Sequence, residues 1–288
     1  LAANALSALL GLLSVFIFTR LFSPHDYGVY LLGVGFATVF SICLVSWFRN
    51  LILSEHARGD GADVRGLVLS GYLICCLSAP IAYGAARLVG LDNATALAAV
   101  VLAVAIGLFE LTQDLIRARL MSVTVMKATL VRAAAVLSLG FVVALVSPTG
   151  FLLLLSSAVA YLLAVLVQSR TAWRGTVVKF DSLSLAELAK TGLPLTVSLT
   201  LLAISSVTDR FMIANLVGAA DAGKYVASLD LVRQTLMMPA MSGRNGSFSR
   251  KKTRTCTARP PGIGGKNVGI TPPSAVNARI ETMTIITM

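Results

Sequence analysis

Long runs of apolar residues with no polar face dominate this chain and limit the folds open to it. Residues 152–167, LLLLSSAVAYLLAVLV, contain no charged side chain, whereas a helix at the surface of a soluble protein carries polar residues along one side. The chain is 56% hydrophobic and 13% charged, against roughly 45–50% and 25% in soluble domains. The sequence therefore predicts an all-α, polytopic membrane protein.

Eight segments approach the roughly 20 apolar residues that a helix needs to cross a bilayer. They are residues 1–19, 29–48, 67–88, 94–115, 128–147, 150–168, 192–208 and 224–240. The first segment has no basic N-terminal flank and is longer than the roughly 7–15 apolar residues of a signal peptide, so we predict that it is a span. Because the chain opens at Leu1 and not at Met, we expect an upstream segment.

Basic residues alternate from one connection to the next along the chain. The connections after the second, fourth and sixth spans carry most of them: Arg49, Arg58, Arg65, Arg117, Arg119, Lys127, Arg132, Arg170, Arg174, Lys179 and Lys190. The connection at 147–150, SPTG, has none. Cytoplasmic loops are enriched in Lys and Arg, so the even-numbered connections and the N-terminus are predicted to be cytoplasmic.

The net charge of +11 is concentrated at the C-terminal end. Residues 1–240 contribute +4 and residues 241–288 contribute +7, from eight basic residues against Glu281. The body of the protein is therefore not predicted to bind nucleic acid. The tail 241–288 has two Pro-Pro pairs and no apolar period, which predicts disorder. Two interpretations of it stay open, a polybasic segment on anionic lipid and an out-of-frame sequence.

A ten-residue pattern occurs twice, 195 residues apart. LFSPHDYGVY at 21–30 and LVGAADAGKY at 216–225 share Leu, Asp, Gly and Tyr at the same positions. Six predicted spans separate the copies, which indicates a parallel repeat of six-helix halves about an axis along the membrane normal. Gly28 and Gly223 are predicted to supply positive φ in short connections, and Tyr30 and Tyr225 to lie at the headgroups.

This repeat predicts how the chain is divided. Residues 1–168 form a six-helix lobe, residues 169–191 a cytoplasmic connection, and residues 192–240 the first two helices of a second lobe, followed by the tail. A complete second lobe would need six helices, and only two are present. We therefore expect a C-terminally truncated copy of a larger transporter.

The repeated segments resemble those of a known family. Residues 20–30, RLFSPHDYGVY, and 209–218, DRFMIANLVG, followed by AGKY at 222–225, resemble the signatures after helices 1 and 7 of bacterial polysaccharide-export flippases. These are similar in fold to multidrug/toxin extruders and lipid II flippases, with twelve or more helices in two bundles around a cavity. The resemblance implies transfer of undecaprenyl-diphosphate-linked oligosaccharide across the bacterial inner membrane during lipopolysaccharide or exopolysaccharide assembly.

The same resemblance implies a set of partners and no chemistry on covalent bonds. The partners are the lipid-linked oligosaccharide, membrane lipids, a polysaccharide polymerase and glycosyltransferases. Neither an enzymatic activity nor a cofactor is expected.

Charged side chains in or beside the predicted spans are the site candidates, because a charge inside a bilayer is costly. The candidates for binding a diphosphate, which suits the planar guanidinium fork, are Arg20, Arg210 and Arg233, with Arg132 behind them. Those for a coupling cation or proton are Glu110, Asp114, Asp209 and Asp230. Asp114 and Arg117 share a helix face and are predicted to pair. The competing interpretation is that Arg20 and Arg210 extend to the headgroups.

No catalytic or metal-binding pattern is found in the sequence. His25 and His56 are the only histidines and are predicted to lie in loops on opposite sides of the membrane. No G-x-x-x-x-G-K-[ST] phosphate loop is present. Two alternatives stay open: a cation-coupled extruder of the same superfamily, which needs an acidic cavity, and a membrane polysaccharide polymerase or transferase, which would show a long outer loop or an intramembrane His.

Overall fold

The computed structural model describes residues 2–58, 65–118, 121–173, 182–229 and 232. The tail 241–288 and the candidates Asp230 and Arg233 lie outside these residues. The helices are α1 (Ala2–Leu21), α2 (Pro24–Arg58), α3 (Arg65–Leu77), α4 (Ala79–Leu88), α5 (Asn93–Ala118), α6 (Ser122–Val146), α7 (Gly150–Ala172) and α8 (Ser182–Leu216). A further helix, α9, begins at residue 219 and is described as far as 229.

The described residues form an all-helical bundle with several membrane-spanning helices. Five segments are long and apolar enough to cross a bilayer: Pro24–Ser46, Asn93–Ala118, Ser122–Val146, Gly150–Ala172 and Val197–Leu216. The pair α3 and α4 makes a sixth if it is counted as one span, and Leu6–Leu21 of α1 is apolar but shorter. The predicted fold class, a multi-pass helical membrane protein, is confirmed. The division into lobes stays a prediction.

The predicted span 67–88 is broken into two helices. Val68–Leu77 and Ala79–Leu88 meet at Ser78 with a bend of 46°. Pro80 lies in the first turn of α4, where a proline has no N–H to continue the hydrogen bonds of the preceding helix. At the break, the Ser78 hydroxyl donates to the carbonyl of Cys75 at 2.9 Å.

Helix α5 lies at the centre of the bundle and packs on α7 and α2. Small residues make this close packing possible: Ala98, Ala103 and Ala105 of α5 are at most 3% exposed, as are Ala158 and Ala164 of α7. By contrast, few residues of α6 and of Val197–Leu216 in α8 are fully buried. α5 therefore carries its polar residues into the interior.

The first copy of the repeated pattern is the beginning of α2. Ser23 precedes the helix, Pro24 is its first residue, and the Asp26 backbone N–H donates to the Ser23 hydroxyl oxygen at 3.1 Å. The Ser23 hydroxyl donates to the Asp26 carboxylate at 2.5 Å. This is a helix cap with proline at the favoured first position. α2 consequently begins five residues earlier than the predicted span at 29.

The two repeated glycines do not have the backbone geometry that was predicted for them. Positive φ occurs, among the described residues, at Gly90 (94°) and Gly218 (115°), whereas Gly28 and Gly223 are helical. They are required for a close approach: a Cβ on Gly28 would overlap the Ala219 carbonyl, and one on Gly223 would lie 2.9 Å from the Gly28 Cα. We call this contact the glycine crossing.

Contacts on either side of the glycine crossing are reciprocal. Leu32 and Phe36 of α2 share an apolar cluster with Phe211 and Ala214 of α8. Phe18 of α1 and Phe22, which follows that helix, share another with Val226 and Ala227 of α9. With the offset of 195, Leu32 corresponds to Ala227, so each copy of the pattern packs against the helix that precedes the other. This arrangement is what a twofold relation between the copies requires.

Candidate functional site

Asp114 is the most buried charged side chain of α5. Its side chain is 4% exposed and accepts from Arg49 Nε of α2 at 2.8 Å and from an Arg117 guanidinium nitrogen at 3.1 Å. The predicted pair of Asp114 with Arg117 is therefore present. A buried carboxylate is tolerated when charged donors surround it, and here one donor comes from the same helix and one from another.

Glu110 lies one turn before Asp114 and is held less closely. Its carboxylate is 3.8 Å from an Arg49 guanidinium nitrogen, and 30% of its side chain is exposed. Burial opposes the charge on Arg49, but the carboxylates of Asp114 and Glu110 outweigh it and raise the pKa of the guanidinium above its ordinary value. Arg49 is thus a fixed positive charge at this end of the bundle.

Gln113 connects these charges to α6. Its amide oxygen accepts from Arg117 at 2.5 Å, and its amide nitrogen donates to the Thr129 hydroxyl at 3.2 Å. On the neighbouring face of α5, the hydroxyls of Thr112 and of Tyr72 in α3 are 2.5 Å apart. The polar end of α5 is therefore bonded to α3 and α6, which orients its carboxylates.

Arg132 of α6 has aromatic neighbours instead of a carboxylate. It donates to the Tyr161 hydroxyl at 2.8 Å, and its guanidinium carbon lies 5.1 Å from the Tyr161 ring centre and 5.7 Å from that of Phe109. These distances are within the range of cation–π attraction. No carboxylate within the described ranges forms an ion pair with Arg132.

We call Arg49, Arg117, Arg132, Glu110 and Asp114 the arginine cluster. Three guanidiniums face two carboxylates, so its formal charge is +1 and the excess belongs to Arg132. Phe109, beneath Arg132, is five residues from Asp114 along α5, which corresponds to about 8 Å at 1.5 Å per residue. The cluster thus extends from one end of the bundle toward its interior and presents more positive than negative charge.

Comparison with known proteins places the chain in a family. The model of a family described as polysaccharide biosynthesis protein matches residues 1–243. The chain belongs to this family. No curated protein and no solved structure matches it. Membership agrees with the resemblance of the repeated segments and with the multi-pass helical bundle.

The other candidates of this polysaccharide biosynthesis protein lie nearer the glycine crossing. Arg20, in the last turn of α1, is exposed and lies 4.9 Å from the ring centre of Phe16. Asp209 of α8 accepts from the Tyr225 hydroxyl at 3.0 Å and from the Arg210 backbone N–H at 2.9 Å. Tyr225 therefore binds a candidate carboxylate directly, a role that was not predicted for it.

The structure does not bring all the candidates together. A Cβ on Gly35 of α2 would lie 3.7 Å from Val207, which is close to Asp209 along α8. Arg49 is 14 residues further along α2, about 21 Å at 1.5 Å per residue. The arginine cluster and the group of Asp209 and Arg210 are therefore separate features of the polysaccharide biosynthesis protein.

Arg49 is the member of the cluster that sequence reasoning assigned to a loop. The predicted span ended at 48, whereas α2 continues to Arg58. The structure places the Arg49 side chain against α5, where it pairs with Asp114 and approaches Glu110.

The two histidines are placed differently from the prediction. Both belong to α2, with His25 near its beginning and His56 near its end, and not to loops. They are 31 residues apart, about 46 Å along the helix. In the part of the chain that the structure describes, no three neighbouring His, Cys, Asp or Glu side chains are placed to hold a metal ion.

Proposed function

We propose that this protein translocates an undecaprenyl-diphosphate-linked oligosaccharide across the bacterial inner membrane. Three observations support the proposal: the family, the helical membrane bundle and the arginine cluster. The observation on which it depends most is the excess guanidinium of Arg132. In this proposal the N-terminus and the Arg49 end are cytoplasmic, because the basic connections lie at that end.

The chemistry of the cluster suits an anionic headgroup. Arginine presents several donors in a planar fork that matches phosphate oxygens two at a time. Asp114 already has two guanidinium partners, while Arg132 has hydroxyl and ring partners. A diphosphate is therefore expected to interact with Arg132 first and then to compete with Glu110 for Arg49, whose contact with Glu110 is long at 3.8 Å.

The transfer itself forms and breaks no covalent bond in this proposal. The lipid headgroup enters at the Arg49 end and leaves at the opposite end after α1 and α2 have rocked against α8 and α9. The proposed carboxylates for a coupling cation or proton are Glu110, which lies 3.8 Å from Arg49, and Asp209, which accepts from the Tyr225 hydroxyl and the Arg210 backbone N–H. A polymerase and glycosyltransferases are the proposed partners.

Binding of defined lipids tests the headgroup site. The full chain in lipid nanodiscs should bind undecaprenyl diphosphate more tightly than undecaprenol or tetraphenylphosphonium. Arg132→Gln should weaken binding of the diphosphate about ten- to a hundredfold, because hydrogen bonds to charged groups contribute roughly 1.5–3 kcal/mol.

Arg170→Gln is the matched control, since Arg170 is an exposed arginine in the last turn of α7. It should leave the affinity for undecaprenyl diphosphate unchanged. Tighter binding of tetraphenylphosphonium than of undecaprenyl diphosphate would contradict the proposal and favour an extruder of organic cations.

A further inference from the structure

We infer that Tyr161 of α7 is a further residue of the headgroup site, and that its hydroxyl donates a hydrogen bond to the phosphate that Arg132 attracts. The inference rests on the proposed function and deepens it, because it names a residue that determines which headgroups bind. Sequence reasoning did not select Tyr161, which lies in the apolar run 152–167.

The Tyr161 hydroxyl has a hydrogen left to donate. Its oxygen accepts from Arg132 Nη1 at 2.8 Å, and a phenol that accepts a hydrogen bond keeps its own O–H as a donor. Within the described ranges, that O–H donates to no protein acceptor. Because Tyr161 and Arg132 are each partly exposed, a headgroup can reach both. An N–H donor and an O–H donor thus lie side by side.

Arg132 also has more donors than acceptors around it. A guanidinium carries five N–H groups, and among the described residues no acceptor bonds to the buried Nε atom of Arg132. The rings of Tyr161 and Phe109 stabilise the positive charge through their faces, but they supply no oxygen acceptor to Nε. A buried N–H without an acceptor lowers stability. Acceptor oxygens are therefore what this group of side chains lacks.

The Tyr161 ring is held so that its hydroxyl stays beside Arg132. It packs edge-on against Phe109, with the ring centres 5.4 Å apart and the ring planes at 87°. Phe109 is 5% exposed and shares a cluster with Ala128 and Ala164, which are fully buried. A tyrosine side chain has two rotatable bonds, so few contacts are needed to order it. The donor is in place before the ligand arrives, which lowers the ordering cost of binding.

The ligand that suits this pair of donors is an anion with several acceptor oxygens. A phosphate can accept from the Arg132 guanidinium and from the Tyr161 hydroxyl at the same time, and its charge is opposite to the positive excess of the arginine cluster. Undecaprenol has no charge, and tetraphenylphosphonium has a positive charge and no acceptor oxygen. Tyr161 therefore adds specificity for phosphate to the attraction that Arg132 provides.

Removal of the hydroxyl alone tests the inference. Tyr161→Phe keeps the ring contact with Phe109 and should weaken binding of undecaprenyl diphosphate to the full chain in nanodiscs about tenfold, because a hydrogen bond to a charged group is lost. Tyr83→Phe is the matched control and should leave the affinity unchanged. The Tyr83 hydroxyl donates to Asn93 at 3.3 Å, and Asn93 is 16 residues from Phe109, about 24 Å along α5.

A double variant separates direct contact with phosphate from an effect through Arg132. If Tyr161 acted only by orienting Arg132, Tyr161→Phe would have no effect in a chain that already carries Arg132→Gln. We expect it to weaken binding about threefold or more in that background as well, because the phosphate loses its own bond to the hydroxyl. Unchanged affinity in that background, or unchanged or tighter binding by the single variant Tyr161→Phe, would overturn the inference.

Inorganic diphosphate separates this inference from the proposed function. The parent chain should bind it, and Tyr161→Phe should weaken that binding by a similar factor. Such binding without any binding of undecaprenyl diphosphate would leave the anion site standing and would count against the proposed function alone. Binding of undecaprenyl diphosphate that falls in Arg132→Gln but not in Tyr161→Phe would overturn the inference and leave the proposed function in place. Failure of the parent chain to bind either ligand would contradict both.

Discussion

Gln113 and Gln168 are both buried polar side chains in the interior of the bundle, but their hydrogen bonding differs. Gln113 of α5 is bonded to Arg117 and to Thr129. Gln168 of α7 is 0% exposed, and neither its amide oxygen nor its amide nitrogen has a hydrogen-bond partner in the structure. An unsatisfied buried amide lowers stability by its full cost of desolvation.

Replacement of Gln168 by an apolar residue of similar length should therefore stabilise the protein. We expect Gln168→Met to raise the free energy of unfolding by about 1–2 kcal/mol, measured as an increase in Tm in detergent. Gln113→Met is the matched control and should lower the Tm, because it removes one hydrogen bond from Arg117 and one from Thr129. A fall in Tm for Gln168→Met would show that the amide has a partner after all.

The arginine cluster shows which side-chain contacts a sequence reveals. The pair of Asp114 with Arg117 was predictable, because residues three apart on a helix are neighbours. The pair of Asp114 with Arg49 joins residues 65 apart on different helices, and no spacing rule specifies it. The role of Arg132 between two rings likewise depends on how α6 packs against α5 and α7.

At the scale of the helix, apolar runs predicted where helices exist but not where they begin or break. The start of α2 was predicted at 29 because the apolar run begins there. The helix itself begins earlier, at Pro24, after the Ser23 cap. The break at Ser78 coincides with Pro80, a sequence signal for a kink that the apolar run of 67–88 did not show. Both features depend on which backbone N–H groups are bonded at a helix end. A count of apolar residues carries no information on this bonding.

The cap at the start of α2 is a measurable part of the repeated pattern. Ser23→Ala should lower the free energy of unfolding by about 1 kcal/mol, because the Asp26 N–H loses its acceptor. Thermal unfolding in detergent provides the measurement. Ser206→Ala, in the exposed middle of α8 where the hydroxyl only bonds its own preceding turn, should change stability by less than about 0.5 kcal/mol. Equal effects would contradict a capping role.

At the scale of the whole molecule, the repeat was visible in the sequence but the reason for its glycines was not. Gly28 and Gly223 were predicted to provide turns, and they instead allow two helices to touch. That contact forms between segments 195 residues apart. A single sequence does not show which distant segments pack together. The fold class was predictable from the long apolar runs. In lipid, a helix pairs all its backbone N–H and C=O groups within one segment, so runs of this length form membrane-spanning helices.

The proposed transport depends on the arginine cluster, in which three guanidiniums face two carboxylates and Arg132 bonds to Tyr161. Translocation of labelled undecaprenyl-diphosphate oligosaccharide by the full chain in proteoliposomes measures this most directly. The expected result is transfer to the opposite leaflet that falls about tenfold or more in Arg132→Gln and is unchanged in Arg170→Gln. No transfer by the parent chain, or equal transfer by both variants, would contradict it.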